Sequence, residues 1–480
     1  MRIGAANRRL IGLWQKLGTR FMPFADAASA EMPLSRLMRL SLFQISVGCV
    51  MVLLNGTLNR VLIVELGVRV DLVSAVIAIP VLAAPLRLFF GYRSDTYRSV
   101  LGWRRVPYIW LGSLLQFGGL AIMPFALLLM QSQTVGPEWA GVAGACLAFL
   151  LTGFGMHMSQ TAGLALASDL VPAEKRPRVV ALLYVMLLAG MMAASLFYSY
   201  FLVDFSAKQL IQVIQATALF TMVINVIAIW KQEARKPLLT AVDRSQPGFL
   251  EALSTYRSDP GTMRLLLAVA VGSAAFSMQD VLLEPYGGEI LGMSVGHTTL
   301  LTGLWAAGTM AGFFWAASSL DRGGEMYRIA ARGLLVGIAA FSAVIFAEPL
   351  DLDGLFYIGA AGVGLGGGLF AVGTMLGAMA ISKRSDSGIV VGAWGAVQAT
   401  AIGASMLLAG VLKSGVNALA LSGSLGEAMT SRASGYLVVY TFEIILMFVC
   451  LAVLGPLTGL RHRGSNHHTD MRFGLAEMPG

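Results

Sequence analysis

Charge is scarce in this chain: Lys, Arg, Asp and Glu together make up 12% of 480 residues, against 56% hydrophobic residues. Soluble domains carry about 25% charged residues, so this composition, with a mean hydropathy of +0.73, excludes an ordinary soluble enzyme. It describes a polytopic membrane protein. Cysteine is scarcer still, with Cys49, Cys146 and Cys450 far apart inside apolar runs and none in Cys-x-x-Cys or Cys/His ligand spacing. That excludes a disulfide framework and a Cys/His metal cluster. No Ser/His/Asp set, no flanking carboxylate pair and no phosphate-cradling Gly-Lys loop stands at a plausible position, so no enzyme is expected. One further absence raises a question. No Lys or Arg occurs between Arg264 and Arg322, yet SMQDVLLEPYGGEILGMS (277–294) carries Asp280, Glu284 and Glu289 beside a long apolar run. Ionised carboxylates in such a place are costly unless they are paired or wet.

What is present is apolar length. Runs of about 20 apolar residues mark membrane helices, and twelve are expected near 38–66, 72–92, 105–130, 139–168, 178–201, 209–231, 263–286, 297–318, 328–347, 354–381, 388–413 and 435–457. Of the 34 Lys and Arg, all but Arg60, Arg69, Lys208, Lys413 and Arg432 fall in the N-terminal tail, the even-to-odd connections or the C-terminal tail. By the positive-inside rule both termini are expected in the cytoplasm, and the net charge of +8 belongs to that face rather than to nucleic-acid binding. The first residues carry Arg2, Arg8, Arg9, Lys16 and Arg20, with Leu10, Trp14, Leu17 and Phe21 on one helical face. A basic helix lying on an anionic membrane surface has this pattern, as does a solvated basic tail that happens to contain it. The expected organisation is a basic arm (1–37), a six-helix half (38–231), a linker (232–262), a second six-helix half (263–457) and a tail (458–480).

The halves are related by repetition. The stretch from Thr161 (TAGLALASDLVPAEKRPRVVALLYVMLLAG) lies over that from Thr374 (TMLGAMAISKRSDSGIVVGAWGAVQATAIG), and NRVLI at 59–63 lies over QDVLL at 279–283. Helices 4–5 therefore repeat as 10–11 and helix 1 as 7, the parallel repeat of major facilitator transporters. The expected fold is all-α, with twelve transmembrane helices in two pseudo-symmetric six-helix halves of the major facilitator superfamily. GYRSDTYRSVLGWRRVP keeps that superfamily's cytoplasmic loop motif at Gly91, Asp95, Arg104 and Arg105, with a weaker copy at Asp321 and Arg322. An acid at a helix end can accept N–H groups of a neighbouring helix, and the arginines are expected to pair with carboxylates of the facing half, as a latch. GVGLGGGLF (362–370) matches a dinucleotide fingerprint by letter but follows no strand, so Gly362/Gly366 and Gly364/Gly368 are instead expected to be close-packing pairs.

Under the repeat, Asp280 overlies Arg60, a base well inside helix 1. An ion pair or gate between the halves is therefore expected from Arg60 to Asp280 or Glu284; the alternative is that the acids sit in interfacial water and Arg60 snorkels outward. Pro285 and Gly287-Gly288 are expected to break helix 7 after these acids. Glu65 is expected at the interface, and Glu443 in a bond to a neighbouring helix. His157, in GFGMHMSQTAG, either hydrogen-bonds between helices or ligates the magnesium of a chlorin, with Gly153 and Gly155 leaving room for a flat ring.

LNRVLIVELG (58–67), PLRLFFGYRSDTYRSVLGWRRVPYIWLG (85–112) and QDVLLEPYGGEILGMSVG (279–296) resemble the PucC/LhaA family of purple phototrophic bacteria. The likeness covers essentially all twelve helices, and the basic arm and length are more similar to the LhaA side, linked to the core antenna. The resemblance implies a light-harvesting 1 assembly factor of the inner, intracytoplasmic photosynthetic membrane. It would handle bacteriochlorophyll a, with carotenoid as a further pigment, and deliver it to newly inserted antenna α and β polypeptides. Implied partners are those polypeptides, the reaction centre–antenna complex, bacteriochlorophyll synthase and the protein-insertion machinery. The alternative is a proton-coupled secondary transporter of a small or amphipathic substrate, working through Asp280, Glu284 or Glu443.

Overall fold

A computed structural model describes residues 32–82, 105–130, 138–172, 175–233, 260–385, 389–426 and 429–459. Among these, eleven helices are long and apolar enough to cross a membrane, and a further apolar helix is described for Val70–Leu82. In chain order they are α1 (Leu34–Glu65), α2 (Val70–Leu82), α3 (Val106–Leu129), α4 (Glu138–Asp169), α5 (Arg176–Phe201), α6 (Ala207–Ile229), α7 (Pro260–Glu289), α8 (Val295–Asp321), α9 (Met326–Ala347), α10 (Asp353–Ser385), α11 (Ile389–Leu421) and α12 (Ser434–Gly459). The protein is an all-helical, multi-span membrane protein. The basic arm, the linker and the tail fall almost wholly outside the described residues, as do Gly91, Asp95 and Arg104.

The two halves meet where α2 runs along α11 and α5 along α8. Lipid offers no hydrophobic drive between helices, so small residues and polar bonds must hold them. Gly362 and Gly366 face α9, where a methyl on Gly366 would stand 2.6 Å from the Gly333 carbonyl oxygen. Gly364 and Gly368 face α8 instead, against Trp305 and Thr309. The two glycine pairs thus serve two different neighbours. Large apolar side chains such as Phe125, Tyr200, Leu219 and Ile358 point outward into the lipid-facing girdle.

Three sequence expectations change. The irregularity of α7 falls at Asp280 and ahead of Glu284 and Glu289, rather than following the acids. Its α-helix ends at Ser277, a 3-10 turn spans Met278–Val281 and a short helix runs Leu283–Glu289. Pro285 lies in the first turn of that short helix, where its missing N–H leaves no bond unmade. Next, α11 continues to Leu421, so Lys413 is buried inside it instead of ending it. Finally, Gly155 packs on the Gly112 carbonyl of α3 and Gly153 on Pro80 of α2, so helices fill the space a flat ring would need beside them.

The repeat of NRVLI and QDVLL has a structural counterpart. α1 widens into π-helical turns at Val52–Leu58 and Val61–Glu65, level with the 3-10 turn of α7. Turns of this kind redirect side chains and free backbone groups for partners. Asn59 takes up one such group, its side-chain amide donating to the Val281 carbonyl at 3.0 Å.

Candidate functional site: a cavity between the halves

A cavity of about 930 Å³ lies between the halves. Helical spacing explains its lining: His157, Thr161, Leu164 and Ser168 recur along one stripe of α4, and Ser273, Ser277 and Asp280 along one stripe of α7. Trp305, Phe276 and Phe313 from the C-terminal half, with Met51 and Met156 from the N-terminal half, add apolar walls. Among the described lining residues Asp280 is the only carboxylate and His157 the only imidazole, with no Lys or Arg.

The cavity extends toward the face where α1 begins, as Ser168 near the end of α4 and Trp394 near the start of α11 show. The far end is closed. Among the described residues, hydrogen bonds between the halves gather there: Thr57 with Thr299 at 3.1 Å, Ser195 to the Thr299 carbonyl at 2.7 Å, and the Gly296 N–H to the Leu202 carbonyl at 3.2 Å.

Arg60 belongs to this closure, but with other partners than expected. Its guanidinium, 4% exposed, pairs with Glu65 at 2.5 Å and donates to the Met293 carbonyl of the other half at 3.0 Å. Gly288 makes room for it, since a methyl there would stand 2.7 Å from Nε. Arg60 therefore ties the halves through a carbonyl, and forms no ion pair with Asp280 or Glu284. Glu65 is a better match because it lies five residues on, in a π-helical segment, and reaches Arg60 without leaving the partly exposed rim. Glu284 is buried and accepts from Thr302 at 2.5 Å. Arg60→Met should destabilise the fold by about 1.5–3 kcal/mol, the worth of a hydrogen bond from a charged donor. Arg60→Lys should not restore it, because an ammonium lacks the planar fork that serves Glu65 and Met293 together. Thermal unfolding of the three proteins in detergent checks both statements; equal midpoints would remove Arg60 from the closure.

The remaining acids of the 277–294 stretch also find their surroundings. Glu289 pairs with Lys413 at 3.2 Å and accepts from the Tyr436 hydroxyl at 2.6 Å. Asp280 is half-buried at the cavity wall, its carboxylate accepting from the Gln279 side chain. Glu443 bonds a neighbouring helix as expected, accepting the Gln279 backbone N–H at 2.8 Å. Sequence reasoning missed Lys413, Tyr436 and the Met293 carbonyl. Nothing local could have revealed them, since each arrives from a distant segment.

At the opposite face, Arg105 pairs with Asp169 of its own half at 3.2 Å. The backbone N–H groups of Arg105 and Val106 donate to Glu233, at 3.1 and 2.9 Å to its Oε2. A carboxylate thus satisfies the start of α3. Asp321 and Arg322 are exposed at the α8–α9 turn and bond no described side chain.

A protein-family model described as PUCC protein matches residues 57–461. The chain belongs to the PucC family. Family membership implies a role in light-harvesting complex assembly, and members of this family are generally not enzymes. Over 478 residues, 98% of this chain and 99% of its relative, this PucC family member is 52% identical to the "Uncharacterized protein in puhA-bchM intergenic region" of Rhodobacter capsulatus. It is 49% identical to "Protein PucC" of Rhodovulum sulfidophilum, over 83% of this chain and 89% of that one. Solved structures confirm the major facilitator fold. A bacterial homologue of the lysosomal transporter Spinster, in an inward-facing and unoccupied conformation, matches with a TM-score of 0.65 at 15% identity, over 90% of this chain and 98% of that one. A mutant of the nucleoside transporter NupG matches with a TM-score of 0.64 at 12% identity, over 87% and 99%.

Proposed function

We propose that this PucC family member is a light-harvesting 1 assembly factor that takes up bacteriochlorophyll a and passes it to newly inserted antenna α and β polypeptides beside the reaction centre. The observation that carries this reading is the cavity of about 930 Å³, near the upper end of the usual range for small-molecule sites. Its aromatic and methionine walls suit a large apolar ring system, and the imidazole of His157 stands on the wall with hydroxyls of Thr161 and Ser273. When bound, the pigment would supply a magnesium ion able to take an imidazole ligand, and His157 is the residue that would hold it. The Ser273 hydroxyl is buried without a partner and is free to donate to a pigment carbonyl. Carotenoid would suit the apolar walls alone.

In this reading the protein lies in the intracytoplasmic photosynthetic membrane with both termini in the cytoplasm, and the cavity opens to that side. Single-helix antenna polypeptides dock on its lipid-facing helices, and bacteriochlorophyll synthase and the protein-insertion machinery are neighbours. Gentle solubilisation from phototrophic membranes, followed by near-infrared absorption and polypeptide analysis, tests this. Bacteriochlorophyll and antenna subunits are expected to copurify, with pigment reduced about tenfold in His157→Ala, as for loss of a metal ligand's support. A colourless protein free of antenna subunits would overturn it. It would favour the second reading, a proton-coupled transporter, for which the specific observation is Asp280 on the cavity wall.

A further inference from the structure

A buried polar seam runs from the cavity through the C-terminal half. Gln279 stands between two acids, giving its backbone N–H to Glu443 and its side-chain amide to Asp280. Asp280 faces the cavity, whereas Glu443 on α12 has no exposure at all, and its second carboxyl oxygen has no hydrogen-bond partner. The hydroxyls of Tyr440 and Tyr286, also fully buried, are likewise unpartnered. The rings adjoin: Tyr286 stands edge-on to Tyr440 and to Tyr436, with centroids 5.5 and 5.3 Å apart. The Tyr436 hydroxyl then donates to Glu289, whose side chain is 21% exposed and pairs with Lys413 at the far end.

Most buried polar atoms are satisfied, so each exception asks for a reason. Here three exceptions fall in one seam, on the facing sides of α7 and α12. Polar oxygens gathered in this way can share bridging water, which needs two to four such partners.

We propose that this seam is a proton path. Asp280 and Glu443 hold an exchangeable proton that reaches them from the far face through Glu289 and the hydroxyls of Tyr436, Tyr286 and Tyr440. Each transfer moves one proton only: a hydroxyl gives its proton to the group ahead and takes another from the water or acid behind, and no other bond changes. The charged groups around the path are Arg60 and Glu65 on α1, Glu284 on α7, Lys413 on α11, Glu348 after α9 and, across the cavity, His157 on α4. Asp280 also sits within the 3-10 turn that Asn59 grips at Val281, so a proton there acts on a joint between the halves. The path does not depend on what the cavity carries.

Infrared difference spectroscopy of the full-length protein in lipid nanodiscs, stepped from H2O to D2O, tests the path with no pigment present. A protonated-carboxyl band that disappears in Glu443→Gln is expected, shifting on deuteration. The shift should be about tenfold slower in Tyr286→Phe/Tyr440→Phe, whose relay hydroxyls are gone, and unchanged in the lipid-facing control Tyr200→Phe. Should Glu443→Gln fail to fold, the tyrosine variants still decide. A band that never exchanges, or no band, would overturn the proposal. So would exchange slowed by Asp280→Asn and not by the tyrosine changes, because the proton would then arrive from the cavity.

Discussion

Replacing Gly364 and Gly368 together by leucine should leave little or no folded protein in detergent. A methyl on Gly364 would stand 2.8 Å from the Trp305 carbonyl carbon and 3.0 Å from the Thr309 nitrogen; one on Gly368 would stand 2.6 Å from the Thr309 carbonyl oxygen. From the other side, a methyl on Gly312 of α8 would stand 2.6 Å from the Leu365 carbonyl oxygen. Every one of these neighbours is backbone, so no side chain can swing away to relieve the clash. Overpacking costs about 1–3 kcal/mol per site, or about 2–6 kcal/mol for the pair, a large part of the roughly 5–15 kcal/mol that holds a protein folded. Gly118 of α3, with nothing within 4 Å of its added methyl, is the matched control and should accept leucine with little change. Size-exclusion profiles and thermal unfolding of the two proteins decide the matter. A native elution position and midpoint for the double variant would mean that α8 and α10 do not approach as closely as the structure shows.

The second large effect is expected at Lys413. Its ammonium, 6% exposed by side chain, pairs with Glu289 at 3.2 Å and lies 4.5 Å from the centre of the Tyr436 ring. Lys413→Ala removes the one counter-charge in contact with Glu289 among the described residues and leaves a partly buried carboxylate behind. Breaking a buried pair by removing one partner costs about 3–5 kcal/mol, far more than an exposed pair is worth. Glu289→Gln added to Lys413→Ala should recover most of that loss, because the stranded charge goes with it. The double-mutant cycle, read from unfolding midpoints in detergent, measures the coupling. Additive effects would show that the pair contributes nothing in the membrane.

These two sites differ in how far the sequence announced them. The close-packing role of Gly364 and Gly368 could be read from their spacing, since four residues bring two glycines onto one helical face. Which helix lay against that face could not be read, because α8 and α9 offer similar small-residue rows, including Gly308/Gly312 and Gly333/Gly337. Lys413 was legible only as a base near the end of an apolar run. Its helix continues beyond it because Glu289, 124 residues earlier in the chain, supplies the compensating charge. Arg60 shows the same limit. The repeat correctly brought the NRVLI and QDVLL segments together, but the guanidinium turned to Glu65 and the Met293 carbonyl, which the π-helical turns placed within reach.

Composition and apolar run length by themselves determined that this chain spans a membrane many times with helices, since in lipid a run of about 20 backbone units satisfies its own polar groups only as a helix. The quoted motifs determined its family. Only the tertiary structure decided which carboxylate met which cation and which glycine met which backbone. It also decided that the far end closes while a cavity remains between the halves. Such pairings depend on the approach of helices more than a hundred residues apart, and on irregular turns in α1 and α7 whose side-chain directions no helical period predicts.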